Sequence, residues 1–166
     1  MPIRTATLKD LDRIHQIEAA SFPPEEAASY ERLAERLRAF PDYFWVLEEQ
    51  FQNVPEPVIT GIINGMVTNL DKIQDPMFET AALHDRSGAW QTVFGLAVDP
   101  RYRNRGYATR LLNHLITTST ANGKRGVTLT CKDHLVHYYQ KFGFTDAGIS
   151  QSQHGGVLWH DMILKL

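Results

Sequence analysis

The stretch FGLAVDPRYRNRGYATRLLNHLI, residues 94–116, constrains the fold more than any other part of this chain. Its first half is a short apolar run ended by Asp99-Pro100, the pattern of a buried strand stopped by a residue that cannot continue a ladder. Its second half predicts a helix over residues 106–120, with Ala108, Leu111, Leu112, Leu115 and Ile116 on one face. A strand that passes within a few residues into an amphipathic helix must fold that helix back onto its sheet. The joining turn, Arg103-Asn104-Arg105-Gly106-Tyr107-Ala108-Thr109, has a chemical character as well. The first backbone N–H groups of a helix have no intrahelical partner and sit at the positive end of its dipole, which makes a ready anion site. Small residues at 106 and 108 let a phosphate approach the backbone, and Arg103 and Arg105 add charge-assisted contacts. The spacing is neither G-x-G-x-x-G nor a P-loop, so the anion is not expected to be a dinucleotide or a P-loop triphosphate.

The rest of the chain reads as alternating short elements. A strand is expected over 2–6. A helix then carries Leu8, Leu11, Ile14, Ile17 and Ala20, with Thr7 and Asp10 at its start. Phe22-Pro-Pro breaks it, and a second helix over 29–39 should turn Tyr30, Leu33 and Leu37 inward. Strands are expected over 43–49, 58–67 and 90–98, with an irregular excursion of about one helical turn over 70–88. A buried strand over 127–131, a short helix over 135–142 and strands over 144–150 and 157–164 close the chain. The expectation is an α/β (α+β) fold in one domain, residues 1–166: a mixed central sheet with helices on both faces.

Composition narrows the classes. With 166 residues and 43% apolar content, one domain can bury a proper core. No apolar run approaches a membrane span, and the start shows no signal-peptide pattern, so no membrane partner is expected. A single cysteine, Cys131, fits a reducing compartment, which we take as cytoplasmic. The net charge of -2 argues against nucleic acid as a partner. Charge is unevenly spread, however. Residues 101–125 hold six basic side chains and no acid, whereas residues 1–50 hold six basic and ten acidic ones. One region suits a polyanion and the other a cation. The seven histidines match no zinc spacing (His134 and His137 lie three apart, His154 and His160 near the other end), and no metal is expected.

FGLAVDPRYRNRGYATRLL resembles the pyrophosphate-binding segment of the GNAT acetyltransferase superfamily, Arg/Gln-x-x-Gly-x-Gly/Ala after a strand, with Arg103, Gly106 and Ala108 at the patterned positions. CKDHLVHYYQKFGF, ALH…GAWQTVFGLAV, SFPPEE and GGVLWHDM are similar to segments of the arylalkylamine N-acetyltransferases. The resemblance covers the chain from about Ile3 onward. It implies acetyl-CoA as cofactor, with its acetyl and pantetheine arm along Phe94, Leu96, Ala97 and Val98, and its diphosphate on residues 103–109. It implies Tyr139 as the general acid for the leaving thiolate. Where vertebrate members carry two histidines, this chain has Thr92 and Phe94. Insect members use a glutamate after a Phe-x-x-acid loop, and Phe22-Pro-Pro-Glu25-Glu26 matches that spacing, so Glu26 acting through water is the expected base.

Substrate contacts are expected from Phe22, Glu25, Phe94 and Trp159, whose aromatic faces suit an amine on an aromatic body. His160 as base and Cys131 as acyl carrier are the alternatives within the site. The function expected is N-acetylation of a small primary amine by direct attack in a ternary complex, by a monomer or homodimer. The alternatives are acetylation of a protein N-terminus, a lysine or a polyamine, or a regulatory domain that binds acetyl-CoA without turnover.

Overall fold

The structure, a computed structural model, describes residues 2–166; Met1, where the expected domain span begins, lies outside the described residues. The strands fall into a four-stranded sheet, β1-β2-β3-β6, and a five-stranded sheet, β4-β5-β7-β9-β8. The chain divides into two compact units, residues 2–64 with 95–115 and residues 65–94 with 116–166.

The first unit is built on β1 (Ile3–Thr5), β2 (Phe44–Glu49), β3 (Val58–Asn64) and β6 (Gly95–Val98), all antiparallel. Residues 44 to 47 are buried without alternation because both faces of β2 are covered. Phe44 and Val46 join Ile14, Ile17, Leu33 and Leu37 of helices α1 (Leu11–Ser21) and α2 (Tyr30–Ala39) in one apolar cluster. Trp45 points the other way, its ring edge-on to His114 of α4 (Tyr107–Ala121) at 5.7 Å. Helix α4 lies so close to this sheet that a Cβ at Gly61 would stand 2.8 Å from the Leu111 Cδ1. The expected inward face of α4 is confirmed, with Leu111, Leu112 and Leu115 fully buried. The expected start of α1 is altered: residues 8–10 form a 3-10 turn closed by the Thr7 N–H donating to Asp10 at 2.8 Å. Tyr30 does not point inward; it is exposed at the first turn of α2, where its hydroxyl donates to Asp12. Ser29 caps α2 by accepting from the Arg32 N–H at 3.1 Å.

The second unit holds β4 (Val67–Thr68), β5 (Trp90–Val93), β7 (Gly126–Cys131), β8 (Thr145–Ile149) and β9 (His160–Lys165), with α3 (Asp75–Glu79) and α5 (Val136–Gln140). β5 and β7 pair in parallel and the remaining ladders are antiparallel. Two expected strands, 58–67 and 90–98, each prove to be two: the first breaks at Gly65-Met66 and the second at Phe94. Within this unit the first break is fastened by Gln91, whose amide donates to the Gly65 carbonyl at 2.8 Å, and by Thr92, whose hydroxyl donates to the Met66 carbonyl at 2.9 Å. The last strand begins at His160, so Trp159 stands just ahead of it rather than inside.

Candidate functional site

In the first unit the turn into α4 is held from both ends. Asp99 ends β6, accepts from the Arg101 N–H at 2.9 Å and from Arg13 of α1 at 2.7 Å, and so fixes where the chain leaves the sheet. The Arg101 and Arg13 guanidinium groups outweigh burial and hold its carboxyl well below the usual range. At the far end the Tyr107 hydroxyl donates to Glu49 at 2.7 Å. Tyr107 was expected at the cofactor; its ring is buried, and only its backbone remains for a ligand. Between these anchors Asn104 and Gly106 both take left-handed conformations, with φ of 64° and 78°. Such a turn aims successive N–H groups into one concavity, an anion nest that opens onto the N-terminus of α4. Nothing lies within 4 Å of where a Gly106 Cβ would stand, so the approach to this backbone is open. Arg103 and Asn104 are exposed beside it, with Thr109 on the first turn and Ala108 half-buried. Arg105 is also exposed, its guanidinium resting over Phe51 and Tyr102, which stack at 5.2 Å.

β6 runs directly into this nest. In its sheet it pairs with β3 alone, at the end of the strand order, so its second edge carries backbone groups that no strand of that sheet uses. The Ala97 side chain belongs to the core cluster and its backbone pairs with Ile62 of β3; Leu96 is half-buried, and Val98 is buried with its carbonyl accepting from the Ser21 hydroxyl at 3.4 Å.

At the start of β6 the same unit gathers a group that sequence reasoning missed. Glu18 of α1, 4% exposed, accepts from the Ala28 N–H at 3.0 Å. Arg36 of α2, 5% exposed, donates to Asn64 at 3.4 Å, and Asn64 pairs with Gly95 in the ladder. Burial pulls the Arg36 guanidinium down to about 10, opposed by the Glu18 charge, so it stays cationic at neutral pH. Phe22 packs on the core beside them. The signal in the sequence was faint, because Glu18 occupies an inward position of an apolar helix face. Glu25 is exposed and Glu26 half-exposed, in a turn where the Glu26 N–H donates to the Pro23 carbonyl at 2.9 Å.

The second unit holds the remaining expected residues. Tyr139 on α5 is 9% exposed, with Tyr138 and Phe144 edge-on at 5.1 and 5.9 Å. Burial above all, with Tyr138 and Cys131 beside it, pushes its phenol well above the ordinary value, so it keeps its proton. Burial pushes the Cys131 thiol up to about 11, with Asp146 and Asp133 adding to the effect, which removes it as a nucleophile at neutral pH. His160 is clamped by Asp146 and Asp133, each at 3.1 Å. Thr92, fully buried and bonded to Met66, has no freedom to act on a substrate. Phe94 and Trp159 are the ends of one aromatic column. Phe94 meets Phe78 at 5.1 Å, Phe78 stacks on His154 at 4.7 Å, and His154 lies 6.1 Å from Trp159. The Trp159 indole donates to the His154 carbonyl at 2.7 Å, and Asp75 of α3 accepts from the Ser152 hydroxyl and the Gln153 N–H. Phe78 and His154 were not expected; they come from the two stretches with the least periodicity.

Among the described residues no three His, Cys, Asp or Glu side chains group as a metal site, and no helix is long and apolar enough to cross a membrane.

No curated protein matches the sequence. Among solved structures, the chain is similar to the GphF GNAT-like decarboxylase in complex with isobutyryl-CoA, at 23% identity, 99% coverage of both chains and a TM-score of 0.82. It is similar to the ribosomal-protein-S18-alanine N-acetyltransferase from Escherichia coli, at 22% identity, 99% and 92% coverage and a TM-score of 0.66. A GNAT family acetyltransferase from Brucella melitensis in complex with acetyl-CoA shares 18% identity over 99% and 87% of the chains, with a TM-score of 0.60. These likenesses show the fold, and the Acetyltransferase (GNAT) family profile matches residues 11–144 of the sequence itself. With its strand, nest and helix in that arrangement, this chain belongs to the GNAT acetyltransferase family.

Proposed function

We propose that this chain transfers the acetyl group of acetyl-CoA to the nitrogen of a small primary amine carried on an apolar or aromatic body, by direct attack in a ternary complex. The observation that carries the reading is the continuity between the nest at residues 103–106 and the β6 edge that no strand of its sheet pairs with. Acetyl-CoA has the matching chemistry in the matching order: a thioester, two amides in its pantetheine arm, then a diphosphate. The amides suit a strand edge and the diphosphate suits the nest, with Arg103 adding charge. A backbone N–H of residues 94–98 would stabilise the oxyanion of the tetrahedral intermediate.

Tyr139 is assigned as the acid that protonates the leaving thiolate, since a phenol whose pKa is raised by burial still holds its proton at neutral pH. Glu25 and Glu26 would draw in the cationic amine, with Glu26 the base expected from sequence. The aromatic column supports an acceptor with an aromatic body, because Phe94, Phe78, His154 and Trp159 offer more planar surface than an aliphatic polyamine needs.

The test is kcat/KM over a panel of tyramine, phenethylamine, tryptamine, spermidine and peptides bearing a free N-terminus or lysine. An arylalkylamine should lead. A clear lead for spermidine or a peptide would replace this acceptor class, and cofactor binding without turnover on any amine would favour a regulatory domain.

A further inference from the structure

Resting on the assignment of Tyr139 as the acid, we propose that His160, held between Asp133 and Asp146, is a positioning residue that sets the place of Tyr139 only while its ring is an imidazolium. Asp133 opens the 3-10 turn (Asp133–Leu135) that leads into α5, and Asp146 is the second residue of β8, which follows α5. His160, the first residue of β9, reaches both. It therefore closes a loop of the chain, residues 133–146, in which Tyr139 lies. The Phe142 and Phe144 N–H groups donate to the Tyr139 carbonyl at 3.0 and 3.3 Å, so the backbone of the acid is tied into the same loop.

The two contacts use different ring nitrogens. Nδ1 lies 3.2 and 3.1 Å from Asp146 Oδ1 and Oδ2, and Nε2 lies 3.1 Å from Asp133 Oδ1. An ionised carboxylate only accepts, so each nitrogen needs a hydrogen, and the ring has two only when charged. A neutral ring turns one lone pair toward a carboxylate, and that contact is lost. Exposure decides which one. The Asp133 side chain is 93% exposed and water takes its place readily; Asp146 is 30% exposed and also accepts from the Gly148 N–H at 2.9 Å. The neutral ring therefore keeps its hydrogen on Nδ1 for Asp146 and releases Asp133, and with it the turn that opens α5. The other titratable groups nearby are Cys131, Tyr139 and Lys132. Cys131, the ladder partner of His160 on β7, keeps its thiol proton, and Tyr139 beside it keeps its own. Lys132 has its ammonium over the Trp159 ring, 5.9 Å from its centre.

The test is the ratio of kcat in the unaltered protein to kcat in Asp133→Ala across pH, at saturating acetyl-CoA and with the best amine of the panel. Taking a ratio removes the deprotonation of the amine, which both proteins share. An exposed ion pair shifts an equilibrium a few-fold, so the ratio should be roughly two to five below the pH at which His160 titrates and about one above it. Tyr139 keeps its proton through this range, so the step belongs to His160. Asp133→Asn should lack the step, since an amide can turn its oxygen to an N–H or its nitrogen to a lone pair. KM for acetyl-CoA should not change in either variant. Nitrogen NMR of His160 in the unaltered protein should show hydrogens on both nitrogens below that pH and on Nδ1 alone above it. Amide exchange over residues 133–140 should quicken in the second state. A ratio equal at every pH would mark a merely structural role and overturn the proposal. A neutral ring with its hydrogen on Nε2, or amide exchange indifferent to the titration, would overturn it as well. Undiminished kcat in Tyr139→Phe would instead refute the acid assignment, a failure that the NMR and exchange readouts, made without turnover, tell apart from failure of the clamp.

Discussion

Phe51 lies on the hairpin between β2 and β3, far in sequence from the nest, yet it should control acetyl-CoA binding. Its ring stacks on Tyr102 at 5.2 Å with the planes 21° apart, and the Arg105 guanidinium sits 5.9 Å from its centre. An aromatic pair contributes about 0.5–1.5 kcal/mol beyond area burial. A cation–π contact at an exposed site contributes about 0.5–1 kcal/mol. Phe51→Ala removes both contacts and leaves Arg105, which lies between the two left-handed residues of the nest, held over Tyr102 without the ring beneath. If that order must be restored when the diphosphate binds, roughly 1–2 kcal/mol is lost from binding, or a 5- to 30-fold rise in Kd. Calorimetry of CoA binding reads this directly, with Arg103→Ala as the reference for a lost charge-assisted contact. A Tyr102→Ala cycle with Phe51→Ala should be strongly non-additive, since both act through the same stack. Wild-type affinity for CoA in Phe51→Ala, or an equal loss of amine affinity, would refute the argument.

Gly106→Val should destabilise the protein by about 1–3 kcal/mol through its left-handed backbone and weaken CoA binding further, in thermal melts and calorimetry. Tyr139→Phe should reduce kcat by roughly 10²–10⁴ with CoA affinity unchanged. Because burial raises the phenol's pKa, activity of the unaltered enzyme should show no alkaline fall from Tyr139 in the range where the amine becomes neutral. Asp99 titrates lower when folded than when unfolded, so its contribution to stability is intact above about pH 4. That contribution is lost as pH falls from there through the folded value. Asp99→Asn should therefore destabilise the protein at neutral pH and flatten the acid limb of denaturation below pH 4.

The elements that govern the nest were legible because each carried a local signal. The apolar face of α4, the Asp99-Pro100 stop and the glycine at 106 are set by backbone sterics and helical period, which need no partner to be read. The two strand breaks were not legible. Residues 58–67 and 90–98 are evenly apolar, and what divides them is pairing: Gln91 and Thr92 spend their polar groups on the carbonyls of Gly65 and Met66. Tyr30 was misplaced because an aromatic at helical spacing normally faces the core, whereas here its hydroxyl reaches Asp12 in solvent. Phe78 and His154 were hidden in stretches without period, and the Asp75 bonds to residues 152 and 153 help to bring the second to the first. Glu18 was hidden for the opposite reason, a charge inside an apolar stripe.

The most direct measurement of the account is thiol release from acetyl-CoA with mass-spectrometric identification of the product, run with tyramine over a range of pH. The predicted result is N-acetyltyramine and CoA in equal amounts, at a rate that depends on the amine and collapses in Arg103→Ala at low cofactor concentration. Thiol release without acetylated amine, or with carbon dioxide from a carboxylated acyl-CoA as the only turnover, would contradict it.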